Sequence, residues 1–376
     1  MQAEETSAWL RLALTPGIGA QQARALLTGL GLPTALFDGS CRAPEPRARL
    51  AELCGAANAA ALLEPPDPGT AAAVERAQAW LAQDARHWLL CLADPDYPPA
   101  LLDLADAPLL LYARGRRELL GRAGLAIVGS RNATRQGEQN AAAFAAHLGS
   151  AGLCILSGMA GGVDAAAHTG ALDAGAATIA LLGTGIDVAY PPRNRTLAER
   201  IGRDGLLLSE YPVGAQPLPF HFPRRNRLIA ALSRGVLVVE AALHSGSLIT
   251  ARLAAELGRE VFAIPGSIHS TLSRGCHRLI RDGAKLVETA QDILEELSWP
   301  PLAAPAAGLG RPGAAPGELA APQRRLLAAL GHDPVDVDTL ALRLGQDAGS
   351  VSADLLALEL ERRVERLPGN RYQRLF

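Results

Sequence analysis

The sequence predicts an α/β protein: a parallel sheet with helices on both faces, an all-helical N-terminal unit and a C-terminal winged-helix unit. Two observations carry the sheet. Six apolar, β-type runs each stop on a small-residue break: 125–131, 153–158, 178–183, 206–209, 236–240 and 261–266. Continuous rather than alternating apolar runs suit strands buried on both faces. Ala-rich helical stretches such as 137–149 and 250–257 separate them, the order of a parallel sheet. Ligands of such sheets bind beyond the carboxyl ends of the strands. That rim carries nearly all the glycine loops and a group of arginines, so it reads as a place for an anion.

Residues 1–85 read as helical. An apolar stripe begins at Trp9, Leu10, Leu12 and Leu14, breaks at Thr15-Pro-Gly-Ile-Gly19 and resumes from about Ala20 to Leu30. The pattern is that of a helix-hairpin-helix or SAM-like unit, whose glycine turn can offer N–H groups to phosphate. The alternative, a small bundle using Pro-Gly only as a turn, has the greater weight. The sheet domain spans 86–299. It opens near Trp88–Leu92, adds an entry loop at 94–99 and a short extra strand at 108–112, and closes with Lys285–Val287 and a helix at 290–298. Residues 300–317 are rich in Pro, Ala and Gly and predict a semi-extended linker. The last unit, 318–376, predicts helices at 322–331, 337–344 and 350–361, with Gly345 between the latter two, then two strands around Pro368-Gly-Asn370. The second helix of that pair carries Asp354, Glu359 and Glu361, with Arg362 and Arg363 only at its end. Acid there opposes phosphate, so protein contact or weak DNA contact outweighs sequence-specific reading.

Composition narrows the classes. A net charge of −2 excludes coating duplex DNA by bulk charge, though not a local basic groove. Lys285 is the only lysine; arginine is the better side chain for bidentate phosphate contact. Cys41, Cys54, Cys91, Cys154 and Cys276 have no metal-ligand spacing and read as reduced thiols of a cytoplasmic protein. No signal peptide or long apolar segment stands out, so neither membrane nor secretion is expected. No metal, cofactor or catalytic set is expected.

Four segments carry the rim chemistry. Ile127-Val-Gly-Ser-Arg131 reads as strand, glycine break and helix start. Gly129 permits close approach, Ser130 and the helix N–H groups can bind a phosphate, and Arg131 can fork onto it. Ser157 and Gly158 open a three-glycine loop ending in Asp164 and His168, four apart on one helical face. Those two read as a helix cap and a hydrogen-bonded histidine rather than an acid–base pair, because no nucleophile accompanies them. Phe220-His-Phe-Pro-Arg-Arg-Asn-Arg227 sets rings beside cations, the arrangement for stacking on bases while holding phosphates; Pro223 would start the helix. At least one arginine of the segment is expected to be structural, bridging to carboxylates such as Glu210 or Glu240. Ser245 to Ser247 form another small-residue anion loop. Glu240 reads as a partner of Arg227 rather than a catalytic carboxylate.

Taken in order, IVGSR, SGMAGGVDAAAH, GTGIDVAYP, LLSEYP, FPRRNRLIAALS, VLVVEA, SGSLITA and VFAIPG resemble the DNA-processing protein A (DprA, or Smf) family. The resemblance implies an extended Rossmann-like domain between a helical and a winged-helix domain. It implies a non-enzymatic, dimeric protein that binds single-stranded DNA and helps load the RecA recombinase in natural transformation. It carries DNA contact over to Ser130, Arg131, Phe222, Arg225, Asn226 and Arg227; Gly129, Ser157, Gly158, His221, Arg224 and Ser247, in the rim segments above, complete the expected DNA-binding set. The chain departs from the family at Pro219, where many relatives have a DNA-contacting lysine, and Arg224 is the natural compensation. Rival readings are weaker. A nucleoside-monophosphate phosphoribohydrolase would carry PGGxGTxxE, a dinucleotide oxidoreductase GxGxxG, and neither is present. A transcriptional regulator would need a less acidic recognition helix. For the dimer surface, Ile293, Leu294 and Leu297 offer one helical side, with packing on their own sheet as the equal alternative.

Overall fold

The computed structural model describes residues 3–300, 321–331, 334–360, 363–367 and 369–374. The expected linker, apart from Pro300, lies outside them, as do Glu361, Arg362 and Pro368. The chain divides into two compact units, Met1–Pro301 and Leu302–Phe376.

The first unit is built on nine strands: β1 (His87–Cys91), β2 (Leu110–Gly115), β3 (Gly124–Val128), β4 (Cys154–Ser157), β5 (Thr178–Leu182), β6 (Leu206–Ser209), β7 (Gly235–Val238), β8 (Glu260–Ala263) and β9 (Lys285–Leu286). Their order is β1-β2-β6-β5-β4-β3-β7-β8-β9. All six apolar runs are strands and all six pair in parallel. The extra strand at 108–112 is β2, longer than expected and antiparallel to both β1 and β6. The sheet is therefore mixed at one edge.

Both faces are covered, because the strand period of two sends alternate side chains to opposite sides. Ala126, Val128, Ile179, Leu181, Leu206, Leu208, Val236 and Val238 face one continuous core under helices His221–Leu232 and Ser247–Glu256. The other face is split in two. Over β3, β4, β7 and β8, Leu125, Ile127, Ile155, Leu237 and Phe262 pack on helices Arg135–Ser150 and Val163–Asp173. Over β1, β2, β5 and β6, the cover is shared by the N-terminal helices and helix Arg195–Asp204, whose Ala198 and Ile201 join the same core. Trp9, Leu26, Leu50 and Trp80 share one core with Leu89, Tyr112, Ala180 and Leu207. That segment is helical at Ala3–Leu14, Ala20–Leu30, Pro33–Phe37, Pro44–Cys54, Ala56–Leu63 and Pro68–Gln83. The turn at Gly17 is held by Asn58, whose Nδ2 donates to the Gly17 carbonyl at 3.1 Å.

The helix Ala290–Glu296 turns Ile293 fully into the core, and Leu294 and Leu297 pack around it. Those three side chains serve their own sheet, so they do not form a free dimer surface. No helix among the described residues is long and apolar enough to cross a membrane.

The second unit has helices Ala321–Leu330, Val337–Leu344 and Ala348–Leu360 and a three-stranded sheet of Val335–Asp336, Arg371–Arg374 and Val364–Leu367, in that spatial order. Gly345 supplies the left-handed turn between the last two helices, with φ of 62°. Leu340, Val351, Leu355, Leu358 and Val364 close the core.

Candidate nucleic-acid interface

From β3 the chain steps outward through β4, β5 and β6, then returns to place β7 on the other side of β3. That reversal leaves a crevice at the carboxyl end of β3. A cavity of about 440 Å³ occupies it. Loop 129–132 after β3, Ala160 and Asp164 after β4, Phe222, Arg225 and Asn226 on the returning helix, and 244–247 after β7 line it.

Close packing explains the glycines. A Cβ on Gly129 would stand 2.9 Å from the Glu240 carbonyl and 2.6 Å from Val163. Gly162 has φ of 70°, and a Cβ there would meet the Ser130 carbonyl at 2.3 Å. Ser130 donates its N–H to the Glu240 carbonyl at 2.7 Å and accepts the Asn132 N–H on its hydroxyl at 3.2 Å.

The helix after Arg131 starts only at Arg135 and is already capped, Thr134 Oγ1 accepting the Gly137 N–H at 3.0 Å. It is not the expected phosphate donor beside Ser130. Three other helices bring N-termini to the cavity instead: Val163–Asp173, His221–Leu232 and Ser247–Glu256. None has a side-chain cap from its N-cap residue, and their positive dipole ends converge, although loop carbonyls already accept the first N–H groups of Val163, His221, Leu248 and Ile249. The middle one begins at His221, two residues before Pro223, where sequence placed its start.

The arginines divide as expected, and Arg227 takes one of the two expected carboxylates, Glu210, but not Glu240. Arg131 is exposed, its guanidinium 5.2 Å from the centre of the Phe222 ring, and no carboxylate pairs with it among the described residues. Arg225 is buried. It donates to the carbonyls of Gly158 (2.7 Å) and Leu181 and to Asn226 Oδ1 (3.1 Å). Burial pulls its pKa down to about 10 while Asp164 pulls it up, leaving it cationic at neutral pH. Arg227 lies away from the cavity, holding both oxygens of Glu210 (2.7 and 2.9 Å) and Asp106 (2.8 Å). Arg224 is exposed beside Glu210 at 3.8 Å and does not line the cavity. Glu240, expected to hold Arg227, instead accepts from the Thr134 N–H and hydroxyl at 2.9 and 2.6 Å. It fastens the end of loop 129–134.

Gly129, Ser130, Arg131, Phe222, Arg225, Asn226 and Ser247 are thus brought to one cavity. Ser157, Gly158, His221 and Arg227 stand behind it as framework. Ser157 is fully buried and donates to the Ile127 carbonyl at 2.6 Å. Gly158 supplies the carbonyl for Arg225. His221 is buried between the Gly183 carbonyl (3.1 Å) and the Tyr211 ring (3.8 Å). Asp164 does not cap its helix; it accepts from the N–H groups of Gly158 (3.1 Å) and Ala160 (3.3 Å) and so shapes the loop. Burial raises its pKa against the pull of Arg225. His168 bonds Thr178 Oγ1 at 2.7 Å, and burial drives its pKa down to about 3. Tyr190 was missed by sequence reasoning: its ring lies 5.5 Å from that of Phe222. An aromatic ahead of Pro191 in a glycine-rich strand exit was the available signal.

The profile of DNA recombination-mediator protein A matches residues 88–298, and that of the DprA winged helix domain residues 310–370. The chain belongs to the DNA recombination-mediator protein A (DprA) family. Among its DprA relatives, the DNA processing protein DprA of Streptococcus pneumoniae is 51% identical over 208 residues, 55% of this chain and 73% of the relative. Protein Smf of Escherichia coli is 43% identical over 308 residues, 80% and 81%. The X-ray structure of Streptococcus pneumoniae DprA superposes with a TM-score of 0.62 at 39% identity, covering 78% of this chain and 98% of that one. A Helicobacter pylori DprA structure, described for its single-stranded DNA binding mode, gives 0.51 at 33% identity, covering 57% and 98%.

Proposed function

We propose that this DprA-family chain binds single-stranded DNA without base preference in the cavity at the end of β3, and hands the strand to the RecA recombinase during natural transformation. The observation that carries the binding step is the convergence of three uncapped helix N-termini on a cavity edged by Arg131 over Phe222. Positive helix ends and a free guanidinium favour phosphate, and a ring face accepts any base. The two carboxylates nearest the rim are occupied by N–H and hydroxyl donors, which supports binding rather than catalysis. Membership of a recombination-mediator family supports the hand-over.

One cavity makes few phosphate contacts, so two on one strand would raise affinity through effective concentration. We therefore propose a homodimer. With the helix at 290–296 committed to its own core, the surface proposed is the open sheet edge, where Leu243 and Leu286 are about two-fifths exposed around a hollow shared with His277 and Ile280.

Fluorescence anisotropy with a dT oligomer, a mixed-sequence oligomer and a blunt duplex tests the binding step. The two single strands are expected to differ by less than about tenfold, 1.4 kcal/mol, and the duplex to bind more weakly. Equal binding of the duplex would overturn the reading.

A further inference from the structure

The loop that follows β7 brings one more titratable side chain to the groove. Its backbone is fastened at both ends. The Ala241 N–H donates to the Leu272 carbonyl at 2.6 Å, and the Ala241 carbonyl accepts the Gly275 N–H at 2.8 Å. The Ser245 N–H closes a turn onto the Ala242 carbonyl at 3.0 Å, and Asn226 Nδ2 holds the Gly246 carbonyl at 3.3 Å. Ser245 and Ser247 bond each other through their hydroxyls at 2.7 Å. His244 stands in this turn. It is exposed and lines the cavity, and its ring has no hydrogen bond or ion pair among the described residues. The fold therefore fixes the position of His244 and leaves its imidazole open.

The other ionisable groups of the cavity wall are Arg131, Asp164 and Arg225. Arg225 spends its donors on carbonyls, and Asp164 is taken up by loop N–H groups. Arg131, after β3, and His244, after the neighbouring β7, are the two whose charged ends stay open. Around that loop, Glu240 turns its carboxylate to Thr134, and Arg274, His277 and Arg281 line the separate hollow that Leu243 reaches. None of these pairs with His244.

We infer that His244 is a phosphate contact that works only when protonated, so that the groove takes up a strand and a proton together. The inference rests on the single-stranded DNA reading above and adds a control to that site. Imidazole is the side chain whose charge ordinarily changes between about pH 5 and 8. Its cation donates from both ring nitrogens, whereas the neutral ring has one donor and no charge. An anion bound beside it favours the cation. By linkage, protonation then favours the bound anion to the same degree. The sign follows: affinity rises as pH falls and is lost as pH rises. Arginine keeps its charge throughout, so Arg131 supplies a constant hold and His244 a variable one.

The test titrates the full chain with a dT oligomer by anisotropy at about pH 8 and about pH 6, either side of the ordinary imidazole midpoint, with a salt series at each. Binding about two- to fivefold tighter at the lower pH is expected, the range for one exposed charge pair. The salt slope should steepen by up to about 0.7, one phosphate on a single strand. His244→Gln should abolish both changes, and His244→Arg should hold affinity and slope at the low-pH level throughout. Calorimetry in two buffers of different ionisation heat should show proton uptake on binding that falls away in His244→Gln. Equal affinity of the unaltered chain at both pH values overturns the proton linkage and leaves the groove reading standing. A pH dependence that survives in His244→Gln assigns it to another group, such as His221 or His277, and overturns the role of His244. No binding of the oligomer at either pH removes the single-stranded DNA reading itself. The ring of His244 is exposed and unbonded, so both variants should keep the urea midpoint of the unaltered chain. If one does not fold, the pH dependence and proton count of the unaltered chain and the other variant decide.

Discussion

Two regions of this chain belong to architectures often associated with nucleic acid, and they differ in how they meet charge. The rim of the sheet offers an unpaired Arg131, a half-buried ring and three uncapped helix N-termini. The third helix of the winged unit, Ala348–Leu360, offers Asp354 and Glu359, an exposed Leu356 and no lysine or arginine. Leu342, on the preceding helix, is also exposed. A fold places a surface; the groups on it decide the ligand. By that measure the free cation and ring lie on the sheet unit, while helix Ala348–Leu360 of the winged unit presents apolar and acidic groups.

The largest way to break the comparison is to remove the framework cation. Arg225→Ala leaves the Gly158 and Leu181 carbonyls without their donor and Asp164 without its nearest positive charge. Loss of about 3–5 kcal/mol is expected, the scale for stranding one buried charge, read from urea unfolding of the first unit. A loss under about 1 kcal/mol would make Arg225 a ligand group rather than framework.

Acid should separate the two units next. His168 is held neutral by burial with a pKa of about 3, below its unfolded value. The unfolded chain therefore binds the extra proton, and stability falls as pH drops below about 6.5, by at most about 1.4 kcal/mol per pH unit. His168→Gln should flatten that slope between pH 6.5 and 4. In the winged unit, Asp336 and Asp347 have lowered pKa values, held down by N–H and hydroxyl donors of Thr339 and Ser350. Their contribution is present above the ordinary carboxylate range and is lost only as pH falls through their lower folded values. Urea midpoints followed by unit-specific probes should show the sheet unit weakening first.

Arg131→Ala tests the rim directly. Weakening of dT binding by about 1.5–3 kcal/mol is expected, the scale of a hydrogen bond to a charged group, with the salt slope reduced by about 0.7 for one lost phosphate contact. Unchanged affinity and slope in a folded variant would take Arg131 out of the site.

The smallest effect sharpens the other side. Truncation after Trp299 should change dT affinity by less than about 0.5 kcal/mol, below half a typical charged contact. Conversely, adding Ser352→Arg and Leu356→Arg to the whole protein should create duplex affinity with a salt slope steeper by about 0.9 per arginine. A large loss on truncation would mean that the winged unit already contacts the strand.

Much of this was legible in the sequence because it is local. The six parallel strands follow from continuous apolar runs, the winged helices from their period, and the rim from glycines at strand ends. Phe222, Arg131 and Ser130 stood out as candidates for the same reason: ring, cation and hydroxyl stand beside a break in the chain. Partner choice was not legible. Arg227 and Glu240 lie 13 residues apart in one segment, yet the fold gives Arg227 to Asp106 and Glu210 and gives Glu240 to Thr134. Nothing in the local pattern sets those distances. The N-terminal helices announced themselves by an apolar stripe, but only the tertiary structure shows that stripe covering one end of a sheet face beside helix Arg195–Asp204. Likewise the helix at 290–296 has one apolar side in any reading, and whether that side meets its own sheet or a second copy depends on what is packed beneath it. Short-range patterning, set by side-chain period and backbone freedom, determined the elements. Tertiary packing, which brings charges and rings from distant strands to one rim, decided which of them are framework and which remain open to a ligand.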